Sequence, residues 1–96
     1  MGKLSDLPNV GSVLEKNLNA VGVHTQEELK AMGSKEAFLR IRIIDSGACL
    51  HMLYGIQGAI EGIRDTHLNE STKEDLRRFY NSSSVFLSNQ QHTGNN

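Results

Sequence analysis

The sequence predicts an all-α protein, a compact bundle of about five helices. Three observations carry that prediction. Apolar residues recur at helical spacing through most of the first 81 positions. The only proline is Pro8, so no ring interrupts a helix after it. Aromatic residues are few and tryptophan is absent, so the core must rest on Leu, Ile, Val, Met and Ala. A chain of 96 residues fits one domain with one core and no large internal chamber.

The helices follow in order. Ser12 with Glu15 three residues on reads as a capping box opening the first helix. Val10, Leu14, Leu18 and Val21 form its apolar face, and Gly22 ends it as a left-handed cap. Thr25 and Glu28 repeat the box before a short helix carrying Leu29 and Met32, which Gly33 stops. Val21 and Val23, flanking Gly22, are expected to be buried. Ser34 begins a third helix, with Ala37, Phe38, Ile41 and Ile44 turned inward. Asp45-Ser46-Gly47 is a turn. Ala48 to about Ile63 reads as the longest helix, and Arg64 to Asn69 as a loop. Glu70 to about Asn81 is the last helix, anchored by Leu76, Phe79 and Tyr80, with Ser71 or Thr72 near its cap. The helical domain is expected over residues 4–81. Residues 82–96 form a polar tail, expected to be flexible, with one apolar knot at Val85-Phe86-Leu87.

Composition bounds the function. A single cysteine, Cys49, forms no internal disulfide, and with no signal-peptide or membrane-spanning run the expected location is cytoplasmic, with no membrane partner. Cys49 sits among Ala48, Leu50 and Leu53 and reads as a small core residue. The net charge is −1, without the basic excess of a dedicated nucleic-acid binder. His24, His51, His67 and His92 lack metal-ligand spacing, and no nucleophile–base pair or phosphate loop appears. Neither catalytic residues, a metal nor a cofactor is expected. Lys30, Lys35, Arg40 and Arg42 are the one basic cluster, of the kind that usually forms a solvated face.

Two motifs remain. The first is Leu7-Pro8-Asn9-Val10-Gly11. Pro8 stiffens the approach, Asn9 tolerates left-handed angles, and Gly11 lets the chain turn into a helix. Backbone N–H groups at such a helix start can hold a phosphate. Asn9, Val10, Gly11, Ser12 and Lys16 are therefore the candidate contacts to a nucleic-acid backbone. A plain structural joint is the alternative. The second motif is the glycine stripe Gly55, Gly58 and Gly62. Each glycine inside a helix costs about 1 kcal/mol against alanine. Three together mark a close-packing or a self-association face.

The Leu7–Gly11 turn, Leu14 and Leu18, Val21-Gly22-Val23-His24-Thr25, Leu29, Gly33, Ala37, Leu50, Leu53-Tyr54, Gly58-Ala59-Ile60 and Gly62-Ile63 together resemble the C-terminal domain of the TfoX/Sxy competence regulators. The resemblance covers about residues 4 to 80. It implies a bundle of about five helices opening with a helix-hairpin-helix-like segment, and a bacterial regulatory context without catalytic residues. The expected function is a non-enzymatic regulatory domain that binds DNA backbone weakly and without sequence preference. The alternative is a protein-interaction or self-associating, homodimeric module with no nucleic-acid role.

Overall fold

The computed structural model describes the backbone of residues 2–94 and the side chains of residues 2–83. Its five α-helices are α1 (Ser12–Ala20), α2 (Gln26–Met32), α3 (Ser34–Ile44), α4 (Leu50–Glu61) and α5 (Glu70–Gly94). Two 3-10 turns, Leu4–Asp6 and Asp65–His67, precede α1 and α5. Among the described residues the one piece of extended pairing is an isolated bridge between Lys3 and Thr25.

The all-helical prediction holds, and several of its details move. Gly11, not Ser12, is the N-cap of α1, and no side chain caps that end. The second capping box is present: Thr25 Oγ1 accepts from Glu28 N–H at 3.1 Å, and Glu28 Oε1 accepts from Thr25 N–H at 3.2 Å. Thr25→Ala is expected to cost about 1 kcal/mol, read as a lower thermal midpoint. Glycines end α1 and α4 in the same way. Gly22 and Gly62 take φ of 91° and 78°. The next residue's N–H then reaches back, Val23 to Leu18 O and Ile63 to Gly58 O, both at 2.9 Å.

The predicted long helix ends earlier than expected, at Glu61, because Gly62 is its left-handed cap. The last helix runs further, to Gly94 rather than about Asn81. Asn69 caps its start, with Ser71 and Thr72 beside it as expected: the Asn69 Oδ1 accepts from Thr72 N–H and from Ser71 Oγ, both at 2.8 Å. The apolar knot at Val85-Phe86-Leu87 lies outside the described side chains.

The core is one cluster drawn from every helix: Leu14 and Leu18 of α1, Leu29 of α2, Phe38 and Ile41 of α3, Leu53 and Ile56 of α4, and Leu76 of α5. Helix α4 is central and touches α2, α3, α5 and the Asp65–His67 turn. Three expectations about burial fail. Ile44 is 56% exposed, because α3 ends there and projects past its neighbours. Cys49 is exposed, as the residue that enters α4 rather than one on its inner face. Val21 is only half-buried, whereas Val23 is fully enclosed.

Lys30 of the basic cluster is exposed, while its other three members have partners. Lys35 pairs with Asp75 at 2.8 Å and lies over the Phe79 ring; Arg40 pairs with Glu36 at 2.8 Å. The Arg42 guanidinium stacks on the Tyr80 ring at 4.8 Å and lies 5.8 Å from the Phe38 ring. Its Nη1 is buried without a hydrogen-bond acceptor among the described residues. The Lys35 and Arg42 contacts fasten α5 to α3.

The N-terminal segment is held against α2. Gln26 N–H donates to Gly2 O at 3.2 Å and Gln26 Nε2 to Lys3 O at 2.8 Å. The carboxyl of Glu27 is held below its ordinary value, first by its own backbone N–H and then by that of Gly2. A depressed carboxylate stabilises the fold above its unfolded value. That contribution is lost as pH falls through the folded one.

Candidate functional site

The segment before α1 is a tight turn with the pattern of type II. Pro8 occupies its second position, Asn9 its third with φ of 70°, and Val10 N–H donates to Leu7 O at 3.4 Å. Among the described residues Asn9 is the only non-glycine residue with positive φ. Asparagine bears that angle better than most side chains.

Its side chain explains the choice further. Asn9 Nδ2 donates to Gly55 O at 3.2 Å and to Ile63 O at 3.0 Å, while Oδ1 accepts from Asp65 N–H at 3.2 Å. One amide thus ties the start of α1 to the middle of α4 and to the chain that leaves it. Gly58 is what lets the amide in. A Cβ there would sit 2.6 Å from Asn9 Nδ2 and 2.8 Å from Ile63 O. Gly55 also faces Asn9, with a looser 3.6 Å to the Asn9 Cβ.

The glycine stripe is therefore a close-packing face within the chain. Gly55 and Gly58 are buried under Asn9 and the Ile63–Asp65 segment, so a second copy has no access to Gly58. Gly62 is not part of the stripe, since it caps the helix and nothing lies within 4 Å of its would-be Cβ.

The same turn borders an open groove of about 490 Å³ between α1 and α4. Gly11, Ser12, Val13 and Leu14 form one wall; His51, Met52 and Gly55 form the other; Asn9 and Asp65 close one end. Val13 is 70% exposed beside it. The uncapped start of α1 leaves its first N–H groups without side-chain partners at this wall. His51 Nε2 lies 3.5 Å from Asp65 Oδ2 across the other side. The groove is thus mainly apolar, with one helix start, one exposed imidazole and one carboxylate.

Of the residues singled out from sequence, Asn9, Gly11 and Ser12 border this groove, and Val10 is buried in the core beneath it. Lys16, exposed on α1, is not among the lining residues. Sequence reasoning missed Val13, His51, Met52 and Asp65. They belong to segments about 40 to 50 positions apart, and no local pattern links them.

The TfoX C-terminal domain family matches residues 1–80 of the chain. The chain belongs to that family. A curated relative, Protein Sxy of Escherichia coli strain K12, is 32% identical over 80 residues. The match covers 83% of this chain but 38% of Sxy, so the chain spans well under half of that relative's length. Two crystal structures from Listeria monocytogenes are closely similar. An uncharacterised protein in a triclinic form is 48% identical with a TM-score of 0.85, covering 86% of this chain and 94% of the other. A protein of unknown function in a tetragonal form is 51% identical with a TM-score of 0.80, covering 82% and 96%. The five-helix fold is therefore that of solved relatives. Among the described residues no helix is long and apolar enough to cross a membrane.

Proposed function

We propose that this TfoX C-terminal domain is a non-catalytic regulatory module that acts by binding a protein partner in the groove between α1 and α4. The observation that carries the reading is the character of that groove. Val13, Leu14 and Met52 give it apolar walls, and Asp65 is the one carboxylate in its lining. Among the described residues no lysine or arginine lines the groove: Lys35 and Arg40 form ion pairs, Arg42 lies against rings, and Lys16 on α1 is outside the lining. Apolar surface at the rim of a groove is the usual sign of a docking site. A bacterial regulatory role, with competence as its context, is what the family resemblance adds.

Site-specific photo-crosslinking in cells tests this. A crosslinker at Val13 is expected to trap one adduct of defined mass, and one at the exposed Glu61 is expected to trap none. The adduct should vanish when Met52 is changed to Asp in a chain that still folds. No adduct at Val13, or equal adducts at both positions, would sink the reading.

DNA-backbone binding through Asn9, Val10, Gly11, Ser12 and Lys16 is the second reading, favoured by the uncapped start of α1. The Asn9 side chain is already committed within the fold, so its part would be through the backbone. Gly11→Asp separates stability from binding. Its carboxylate would cap the helix and complement the dipole, a gain of a few tenths to about 1 kcal/mol. The same charge would repel phosphate. The DNA reading expects duplex binding at ~50 mM salt, lost on Gly11→Asp and weakened by Lys16→Glu. The protein-partner reading expects no duplex binding at that salt.

A further inference from the structure

We infer that the partner segment that docks between α1 and α4 is basic as well as apolar: a large apolar side chain for the walls and, close beside it, an arginine or lysine for Asp65. The inference rests on the groove being a protein-docking site and adds the chemistry of its occupant.

Asp65 sets the requirement. It closes one end of the groove, and its side chain is only 19% exposed. Its backbone N–H donates to Asn9 Oδ1, which fixes the residue in place without engaging its carboxylate. Among the described residues the His51 ring alone comes within ion-pair distance of that carboxylate, with Nε2 3.5 Å from Oδ2. The ring is 82% exposed, so water screens it and it is free to turn away. Arg64, next in the chain, is exposed and forms no ion pair with Asp65.

A purely apolar occupant therefore fits badly. Sealing the walls at Val13, Leu14 and Met52 also takes the remaining water from Asp65. A carboxylate covered without a partner opposes binding, whereas one met by a hydrogen-bonded cation does not. The start of α1 lies at the same groove and has the opposite sign. Its dipole amounts to about half a charge, spread over several N–H groups. Asp65 carries a whole charge at one point and decides the sign. Arginine suits the place better than lysine. Its planar guanidinium is weakly hydrated and meets a carboxylate through two parallel bonds. Its methylene stem adds to the apolar contact. The occupant is thus a peptide segment in which leucine, isoleucine, methionine or phenylalanine stands close to arginine or lysine. An acidic peptide and a nucleic acid both carry the wrong charge for Asp65.

Selection from a displayed library of short random peptides on the purified full chain is the test, followed by titration of the recovered peptides. They should pair a large apolar residue with a nearby arginine or lysine. Asp65→Asn keeps the shape of the side chain and the backbone bond to Asn9, so the thermal midpoint should hold. It should weaken the recovered peptides by about tenfold or more. The same peptides with leucine in place of the basic residue should bind both forms of the protein equally. A merely structural role for Asp65 would weaken both kinds of peptide alike, and that result overturns the proposal. So do recovered peptides that lack a basic residue, and so does an empty selection. Failure of the docking site itself reads differently. Peptides lost on Met52→Asp but indifferent to Asp65→Asn keep the groove and remove only the cation. Peptides indifferent to both changes remove the groove as well. If the chain instead pairs with itself as concentration rises, and Met52→Asp abolishes that pairing, the occupant is a second copy and the proposal falls.

Discussion

Asn9→Ala is expected to lower the free energy of unfolding by about 3 to 4 kcal/mol, although the residue lies in a surface turn. Two losses add. The amide makes three hydrogen bonds, to Gly55 O, Ile63 O and Asp65 N–H. Their partners lie under the turn, where water replaces the amide poorly, at about 1 kcal/mol each. Alanine must also hold a φ of 70°, which costs a β-carbon about 1 kcal/mol. Against a total stability of about 5–15 kcal/mol the change is large. The thermal midpoint should fall by more than about 10 °C, at about 4–8 °C per kcal/mol. Asn9→Gly divides the two effects, recovering the backbone part and losing the bonds. Asn9→Asp keeps an acceptor for Asp65 N–H but turns a carboxylate toward two carbonyl oxygens. At neutral pH it should be no better than alanine. Urea melts of the three variants check the order glycine above alanine and aspartate. A loss below about 1 kcal/mol for alanine would show that the staple contributes little beyond a single ordinary hydrogen bond.

This staple marks the limit of what the sequence discloses. The helices were legible because each carries a local signal: the Thr25–Glu28 box, the glycines at 22 and 33, and the apolar spacing of Phe38 and Ile41 or Leu53 and Ile56. The two motifs that looked functional, the Leu7–Gly11 turn and the glycine stripe, were read separately. They are one structure. Asn9 left the backbone pattern intact while its amide reached 46 to 56 positions along the chain. Side-chain bonds over that span leave no periodic trace. Asn9 holds the left-handed angle that its residue type suggests, and Gly11 has extended backbone. The groove was illegible for the same reason. Val13 is one exposed apolar residue on a helix face, and His51 one histidine among four. Only the tertiary fold, with the Asn9 turn tied to α4, sets them on facing walls. Arg42 shows the converse. Charge grouping suggested a solvated face, and the neighbouring rings of Phe38 and Tyr80 decided otherwise.

Gly58→Ala is the second large effect, and its contrast with Gly55→Ala isolates the cause. Both glycines lie inside α4, where alanine is favoured by about 1 kcal/mol on helix propensity alone. At Gly55 the new Cβ would meet Asn9 Cβ at 3.6 Å, an ordinary contact. Gly55→Ala should therefore be neutral or stabilising by up to about 1 kcal/mol. At Gly58 the Cβ would stand 2.6 Å from Asn9 Nδ2, 2.8 Å from Ile63 O and 3.3 Å from Asp65 N. Two of those three atoms are backbone and cannot swing away. The turn after α4 must shift, or the Asn9 amide must leave its acceptors. Either way the propensity gain is outweighed, and a net loss of about 2–3 kcal/mol is expected. The two variants should thus move the urea midpoint in opposite directions, or leave it unmoved at Gly55 and lowered at Gly58. A double-mutant cycle decides whether the clash works through Asn9. With Asn9→Ala already present, Gly58→Ala should cost less by about 1 kcal/mol. Relief is partial because Ile63 O remains in place. Full additivity would assign the penalty to the backbone after Gly62 alone, and would remove Gly58 from the account of why Asn9 fits.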